Sequence, residues 1–156
     1  MQAIARAIVQ RLTKAKKTLA LAESCTGGFI ASEITNVPGA SKIFLGGIVS
    51  YSNAAKQKFL GVRARALARH GAVSEPVARQ MAEGARKKFG AGYAIAVTGI
   101  AGPGGGSKAK PVGTVFIALA GPGDTVVQRR LNRAPREKFK AMTARQALEL
   151  LRSRIG

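Results

Sequence analysis

A chain of 156 residues and 16.2 kDa suffices for one domain over residues 1–156, and its 46% hydrophobic and 21% charged residues exclude a disordered chain. With 26 Lys and Arg against 7 Asp and Glu, the formal charge is +19, which predicts attraction to anions such as phosphates and nucleic acid. One cysteine excludes an internal disulfide framework and fits a reducing, cytoplasmic compartment; with one histidine and seven acids beside it, no dedicated metal site is expected.

Ile4, Ile8, Leu12 and Ala15 recur at helical spacing among basic residues, so residues 2–17 read as an amphipathic helix. The stretch lacks a signal-peptide core and cleavage site, and a first helix of the domain is preferred to a basic presequence. TLALAES (18–24) reads as a short strand running into the CTGG turn. A helix is expected from Thr26 onward, stopping before Pro38 and Gly39. KIFLGGIVSYS (42–52) is apolar and β-branched, hence a strand, and Asn53 reads as the cap of a helix that closes at Gly61. His70 lies in the basic stretch RARALARHG and reads as a surface or loop residue. Ser74 reads as another cap, followed by a helix with Val77, Ala78, Met81, Ala85 and Phe89 on one face. GYAIAVTG (92–99) reads as a buried strand ending in the glycine-rich loop IAGPGGGSKAKPVG. Strands at 113–120 and about 125–131 flank the Gly121–Asp124 turn, and Phe139, Met142, Thr143, Ala147, Leu150 and Leu151 stripe a last helix. Helices alternating with strands, then a closing hairpin, predict an α/β fold: a three-layer α/β/α sandwich with a mixed sheet. No apolar run approaches the ~20 residues of a membrane span.

Three places carry candidate chemistry. The glycine loop offers backbone amides, with Ser107, Lys108 and Lys110, to an anion; the competing reading is a flexible connection between strands. It matches neither GxxxxGK[ST] nor GxGxxG, so neither an ATPase nor a dinucleotide fold is supported. Ser24, at a strand end ahead of the Thr26-Gly27-Gly28 turn, is either a nucleophile facing backbone oxyanion donors or an ordinary helix N-cap. Lys56, in SYSNAAK at another strand-to-helix junction, is either a base for a serine or a solvated helix lysine. The catalytic reading requires a neutral amine, hence a pKa lowered by about three units.

LALAESCTGGFIASEITNVPGAS, GGIVSYSNAAKQKFLGV and AVTGIAGPGGGSKAKPVGTVFIAL, in this order, resemble the C-terminal domain of competence-damage (CinA) proteins, the nicotinamide mononucleotide deamidase (PncC) family. The resemblance runs from about Leu19 to Leu151. It implies hydrolysis of the carboxamide of nicotinamide mononucleotide to the acid mononucleotide and ammonia, by a serine amidase with no metal and no cofactor. Carried onto this chain, it implies Ser24 as nucleophile and Tyr51 with Lys56 as relay and base, Lys58 being the nearby competitor. Thr98 and Gly99 are the implied substrate-lining strand end. The Thr26, Gly27 and Gly28 amides are expected to hold the oxyanion, and Arg136, Lys140 and loop amides including Gly102 to meet the phosphate.

The chain departs from the family pattern where Ala134-Pro135-Arg136 replaces a GDR-like stretch and Lys140 stands in place of a second arginine. A lysine loses the bidentate phosphate grip of arginine. Pro76 also replaces a usual acid, and the chain reads as the stand-alone form of the domain. Two other classes compete: a nucleic-acid-binding module, motivated by the charge, and a catalytically silent nucleotide-binding relative. Two Tyr, six Phe, no Trp and no recognition motif argue against the first. Non-specific nucleic-acid binding at low salt and homodimerisation through an exposed sheet edge are expected, with no membrane partner.

Overall fold

Leu19–Glu23 is buried at every residue, and so is Thr114–Ala120; a strand with no solvent face must lie inside a covered sheet. The computed structural model describes residues 1–156. The elements follow as α1 (Gln2–Ala15), β1 (Leu19–Glu23), α2 (Phe29–Thr35), β2 (Phe44–Val49), α3 (Asn53–Leu60), α4 (Ala64–His70), α5 (Glu75–Phe89), β3 (Tyr93–Gly99), β4 (Thr114–Ala120), β5 (Thr125–Leu131) and α6 (Arg136–Arg154), with a 3-10 turn at Ala40–Lys42. The five strands lie in the order β2-β1-β3-β4-β5. β1 runs parallel to β2 and β3, whereas β4 pairs antiparallel with β3 and β5 antiparallel with β4, so the sheet is mixed.

The two faces of the sheet differ in side-chain size. Leu19, Leu21, Ile95, Val97, Ile117 and Leu119 point into a core shared with α1, α2 and α6. Ala20, Ala22, Ala94, Ala96, Ala118 and Ala120 face α5. This alanine floor lets α5 lie close against the sheet, pressing Val77, Met81 and Ala85 onto it. Gly84 of α5 continues the close approach outward, because a Cβ there would overlap the Leu60 carbonyl at the end of α3. Helices on both faces of a mixed sheet make the expected three-layer α/β/α sandwich.

The strand register sets up the site. Glu23 pairs with Val49 on one side and Val97 on the other, so the next residues, Ser24, Ser50 and Thr98, emerge side by side at the C-terminal ends of three parallel strands. The Ser24 amide donates to the Val97 carbonyl and the Ser50 amide to the Glu23 carbonyl, which carries the ladder one residue further. Carboxyl ends of parallel strands are where open α/β sheets form ligand crevices.

Several local expectations are corrected. α2 begins at Phe29 rather than near Thr26, because Gly27 and Gly28 take left-handed conformations, with φ of 60° and 99°, in the preceding turn. The cap of α3 is Ser52, whose hydroxyl accepts from the Ala55 amide at 3.0 Å, and Asn53 is the first helical residue. Ser74 holds the N-cap position of α5, but its hydroxyl donates to the Gly71 carbonyl at 2.8 Å instead of capping. α4 has no counterpart in the sequence pattern: only Ala66 and Leu67 of ARALARH are buried, too few for a visible periodicity. His70 is exposed at its last position. No helix is long and apolar enough to cross a membrane.

Candidate active site

The Ser24 hydroxyl does not cap a helix. The N-cap of α2 is Gly28, four residues later, and Ser24 Oγ instead accepts a hydrogen bond from Lys56 Nζ at 3.1 Å. Lys56 is 1% exposed, so the solvated-lysine reading gives way, and the exposed Lys58 sits over the Phe59 ring instead. Lys56 Nζ also donates to the Ser50 carbonyl at 2.8 Å and the Tyr51 carbonyl at 3.2 Å. Its three polar neighbours are thus two carbonyls, which only accept, and one hydroxyl, which can also donate. No carboxylate pairs with it.

An unpaired buried ammonium is costly, and burial pulls Lys56 below the ordinary lysine value of 10.5. A Cys25 thiolate would oppose this, but Cys25 is itself pushed up to about 12, chiefly by burial. At neutral pH Cys25 is therefore a thiol, which leaves burial as the operative cause and removes Cys25 as a rival nucleophile. In the neutral amine, two N–H groups serve the two carbonyls and the lone pair faces the Ser24 hydroxyl. That arrangement can remove the Ser24 proton.

Glu23, which sequence reasoning did not single out, organises the turn behind Ser24. Its carboxylate, 2% exposed, accepts from the Thr26 hydroxyl at 2.5 Å and from the amides of Gly28, Ile30 and Ala31 at 3.1, 3.1 and 2.9 Å. A carboxylate at the positive end of a helix is well placed. The signal was present in sequence as an acid just ahead of a Thr-Gly-Gly turn and a helical pattern. The consequence corrects the expected oxyanion hole: the Gly28 amide serves Glu23 and the Gly27 amide donates to the Ser24 carbonyl. Cys25 and Thr26 supply the amides of this turn that make no backbone hydrogen bond.

The cleft over the pair has a volume of about 280 Å³. Ser24, Tyr51, Lys56, Thr98, Gly99, Gly102 and Arg136 all line it, so seven of the residues singled out in the sequence come together. Thr26, Gly27, Gly28 and Lys140 do not line it; Thr26 is fully buried beneath, and Lys140 borders a separate hollow with Phe29 and Glu137. The Thr98 hydroxyl donates to the Ala72 carbonyl at 2.9 Å, tying β3 to the segment ahead of α5. Tyr51 enters differently from its expected relay role. Its side chain is 60% exposed and its hydroxyl accepts from Arg136 at 2.8 Å, while only its backbone carbonyl touches Lys56. Arg136, the first residue of α6, also donates to the Gly102 carbonyl at 2.7 Å and so joins three chain segments at the rim. Lys110 of the glycine loop donates to the His70 carbonyl at 2.6 Å, anchoring the loop to the end of α4. No three His, Cys, Asp or Glu side chains converge as a metal-ligating cluster.

Fold and site together define a class: a three-layer α/β domain with a serine–lysine pair at the carboxyl ends of its parallel strands. The chain belongs to the CinA C-terminal domain family, whose model matches residues 1–155. It is 54% identical over 145 residues to a CinA-like protein of Anaeromyxobacter sp. strain Fw109-5, covering 93% of this chain and 35% of that protein. A CinA-like protein of Parasynechococcus marenigrum is 47% identical over 154 residues, covering 97% of this chain and 37% of that protein. The chain thus spans little more than a third of these relatives' length. Among solved structures, the competence/damage inducible protein CihA of Agrobacterium tumefaciens superposes with a TM-score of 0.95 at 42% identity, covering 97% of this chain and 93% of that one. A CinA superfamily protein of Klebsiella pneumoniae gives 0.95 at 34% identity, covering 99% and 96%.

Proposed function

We propose that this domain hydrolyses the carboxamide of nicotinamide mononucleotide, releasing ammonia and the acid mononucleotide, with Ser24 as nucleophile and Lys56 as base. The observation that carries the reading is the 3.1 Å approach of a buried, carboxylate-free Lys56 amine to the Ser24 hydroxyl. The likeness to the deamidase family adds the substrate.

Lys56, as neutral amine, takes the Ser24 proton while Ser24 Oγ bonds to the carboxamide carbon. The carbonyl electron pair moves onto oxygen, toward the amide of Cys25, the residue of the turn after Ser24 that lines the cleft. Collapse breaks the C–N bond, and the Lys56 ammonium returns its proton to the departing nitrogen, so ammonia leaves. Water then attacks the nicotinoyl ester, again giving a proton to Lys56, which passes it to Ser24 Oγ as the acid departs. A cleft of about 280 Å³ is small for a whole nucleotide, so the pyridine ring enters it and the ribose phosphate stays at the rim. There Arg136, with two of its five donors on Gly102 and Tyr51, keeps others for the phosphate.

The test is ammonia release from nicotinamide mononucleotide in the presence of EDTA. Release by the native protein and its loss in Ser24→Ala, with the fold intact by circular dichroism, is the expected result. No release from the folded native protein would move the reading to a nucleotide-binding relative without turnover.

A further inference from the structure

Ser50 stands beside this pair and takes no part in the mechanism above. It is fully buried, and its hydroxyl is the one buried side-chain polar atom without a hydrogen-bond partner. Buried hydroxyls are normally satisfied, and an orphan at the strand end next to a reactive pair calls for a reason. Its backbone is fixed at both ends: the amide donates to the Glu23 carbonyl at 2.8 Å, and the carbonyl accepts from Lys56 Nζ at 2.8 Å. The same residue's carbonyl thus lies at hydrogen-bond distance from the amine, and rotation about the Cα–Cβ bond is the freedom left to the hydroxyl.

The hydrogen-bond inventory of Lys56 changes during the reaction. At rest the amine has the Ser50 carbonyl, the Tyr51 carbonyl and Ser24 Oγ as neighbours. Once Ser24 Oγ is bonded to the carbon of the tetrahedral intermediate, it is a poorer acceptor than the free hydroxyl, and the ammonium that has just formed has three N–H donors facing two carbonyls. The charged groups nearby do not fill the gap. Glu23 is turned into the N-terminus of α2, Arg136 repels a cation, and Cys25 is a neutral thiol.

We infer that Ser50 is a positioning residue whose hydroxyl oxygen accepts the third N–H of the Lys56 ammonium after Ser24 has given up its proton. It acts through Lys56 and touches no substrate, and in the resting structure its hydroxyl has no protein partner to give up. An interaction that strengthens as the proton moves onto Lys56 is stronger in the transition state than at rest, and so accelerates the chemical step. This inference rests on Ser24 and Lys56 being the reacting pair, as proposed above, and is independent of the substrate's identity.

The experiment is sulfonylation of Ser24 by phenylmethanesulfonyl fluoride, read by intact mass and peptide mapping across neutral and alkaline pH. The Ser24 oxygen bonds to sulfur, fluoride leaves, and the proton passes to Lys56. Ser50→Ala is expected to label about tenfold more slowly on the plateau, with the pH midpoint unmoved and a melting temperature equal to or above that of the native protein. Ser50→Cys fills the same volume with a poor acceptor and is expected to be equally slow. Native-rate labelling of Ser50→Ala would overturn the inference. So would recovery in Ser50→Cys, or slow labelling accompanied by a lower melting temperature, since both mark a packing role. A native protein that never labels at Ser24 would remove the reacting pair and the inference with it. Labelling as expected in a protein that releases no ammonia would keep Ser50 and remove only the substrate.

Discussion

At the scale of single residues, the site turns on one charge that has no partner. Lys56 has a lowered pKa because it is buried, so between its folded value and 10.5 the unfolded chain binds the proton that the native one has released. Native stability therefore rises with pH through that window, relative to Lys56→Met, which has nothing to titrate there. Urea unfolding at several pH values checks this; a constant difference between the two proteins would contradict it. Glu23 presents the opposite case, a buried carboxylate saturated by four donors. Glu23→Gln turns one acceptor oxygen into a donor facing donors and is expected to destabilise by about 2–3 kcal/mol in urea unfolding. Neither role was fully legible in the sequence. Ser24 and Lys56 stood out by motif, but NAAKQKFL reads as a polar helix, and nothing local says that Lys56 turns inward. Glu23 decides which amides of the turn are free, a matter of side-chain reach that residue types alone do not give.

Among the elements, α3 carries Lys56 to Ser24, and α5 holds α3. The contact between them is the Leu60 carbonyl over Gly84, where a methyl group cannot fit. Gly84→Ala gains helix propensity of about 1 kcal/mol but must push α3 away, at a net loss expected in the range of about 1–3 kcal/mol. Its kcat should fall while KM stays near native, because the lysine moves and Arg136 at the rim does not; a more stable, fully active variant would contradict this placement. The main strands and helices were readable because their periodicities are strong: the apolar runs of β1, β3 and β4 and the stripes of α1, α5 and α6. What escaped were the short pieces whose limits depend on distant partners. α4 shows only two buried residues, and the start of α2 is delayed by a left-handed glycine turn under Glu23.

The whole molecule is a +19 protein with only three ion pairs, all on its surface. Surface pairs of this kind contribute little to stability, so the charge acts chiefly on what approaches. For an anionic mononucleotide, kcat/KM is expected to fall as ionic strength rises while kcat holds; a flat profile would remove electrostatic steering. Arg136→Ala should raise KM at every salt concentration, since it deletes a rim contact as well as a charge. Composition alone announced the charge, but its meaning depends on the cleft, where one arginine and an open glycine loop stand over the Ser24–Lys56 pair. The most direct measurement on that pair is ammonia release from nicotinamide mononucleotide by Lys56→Met, with the fold verified by circular dichroism. A loss of about 10²–10⁴-fold in kcat is predicted for removal of the base. Near-native turnover by Lys56→Met would contradict the serine–lysine mechanism at its centre.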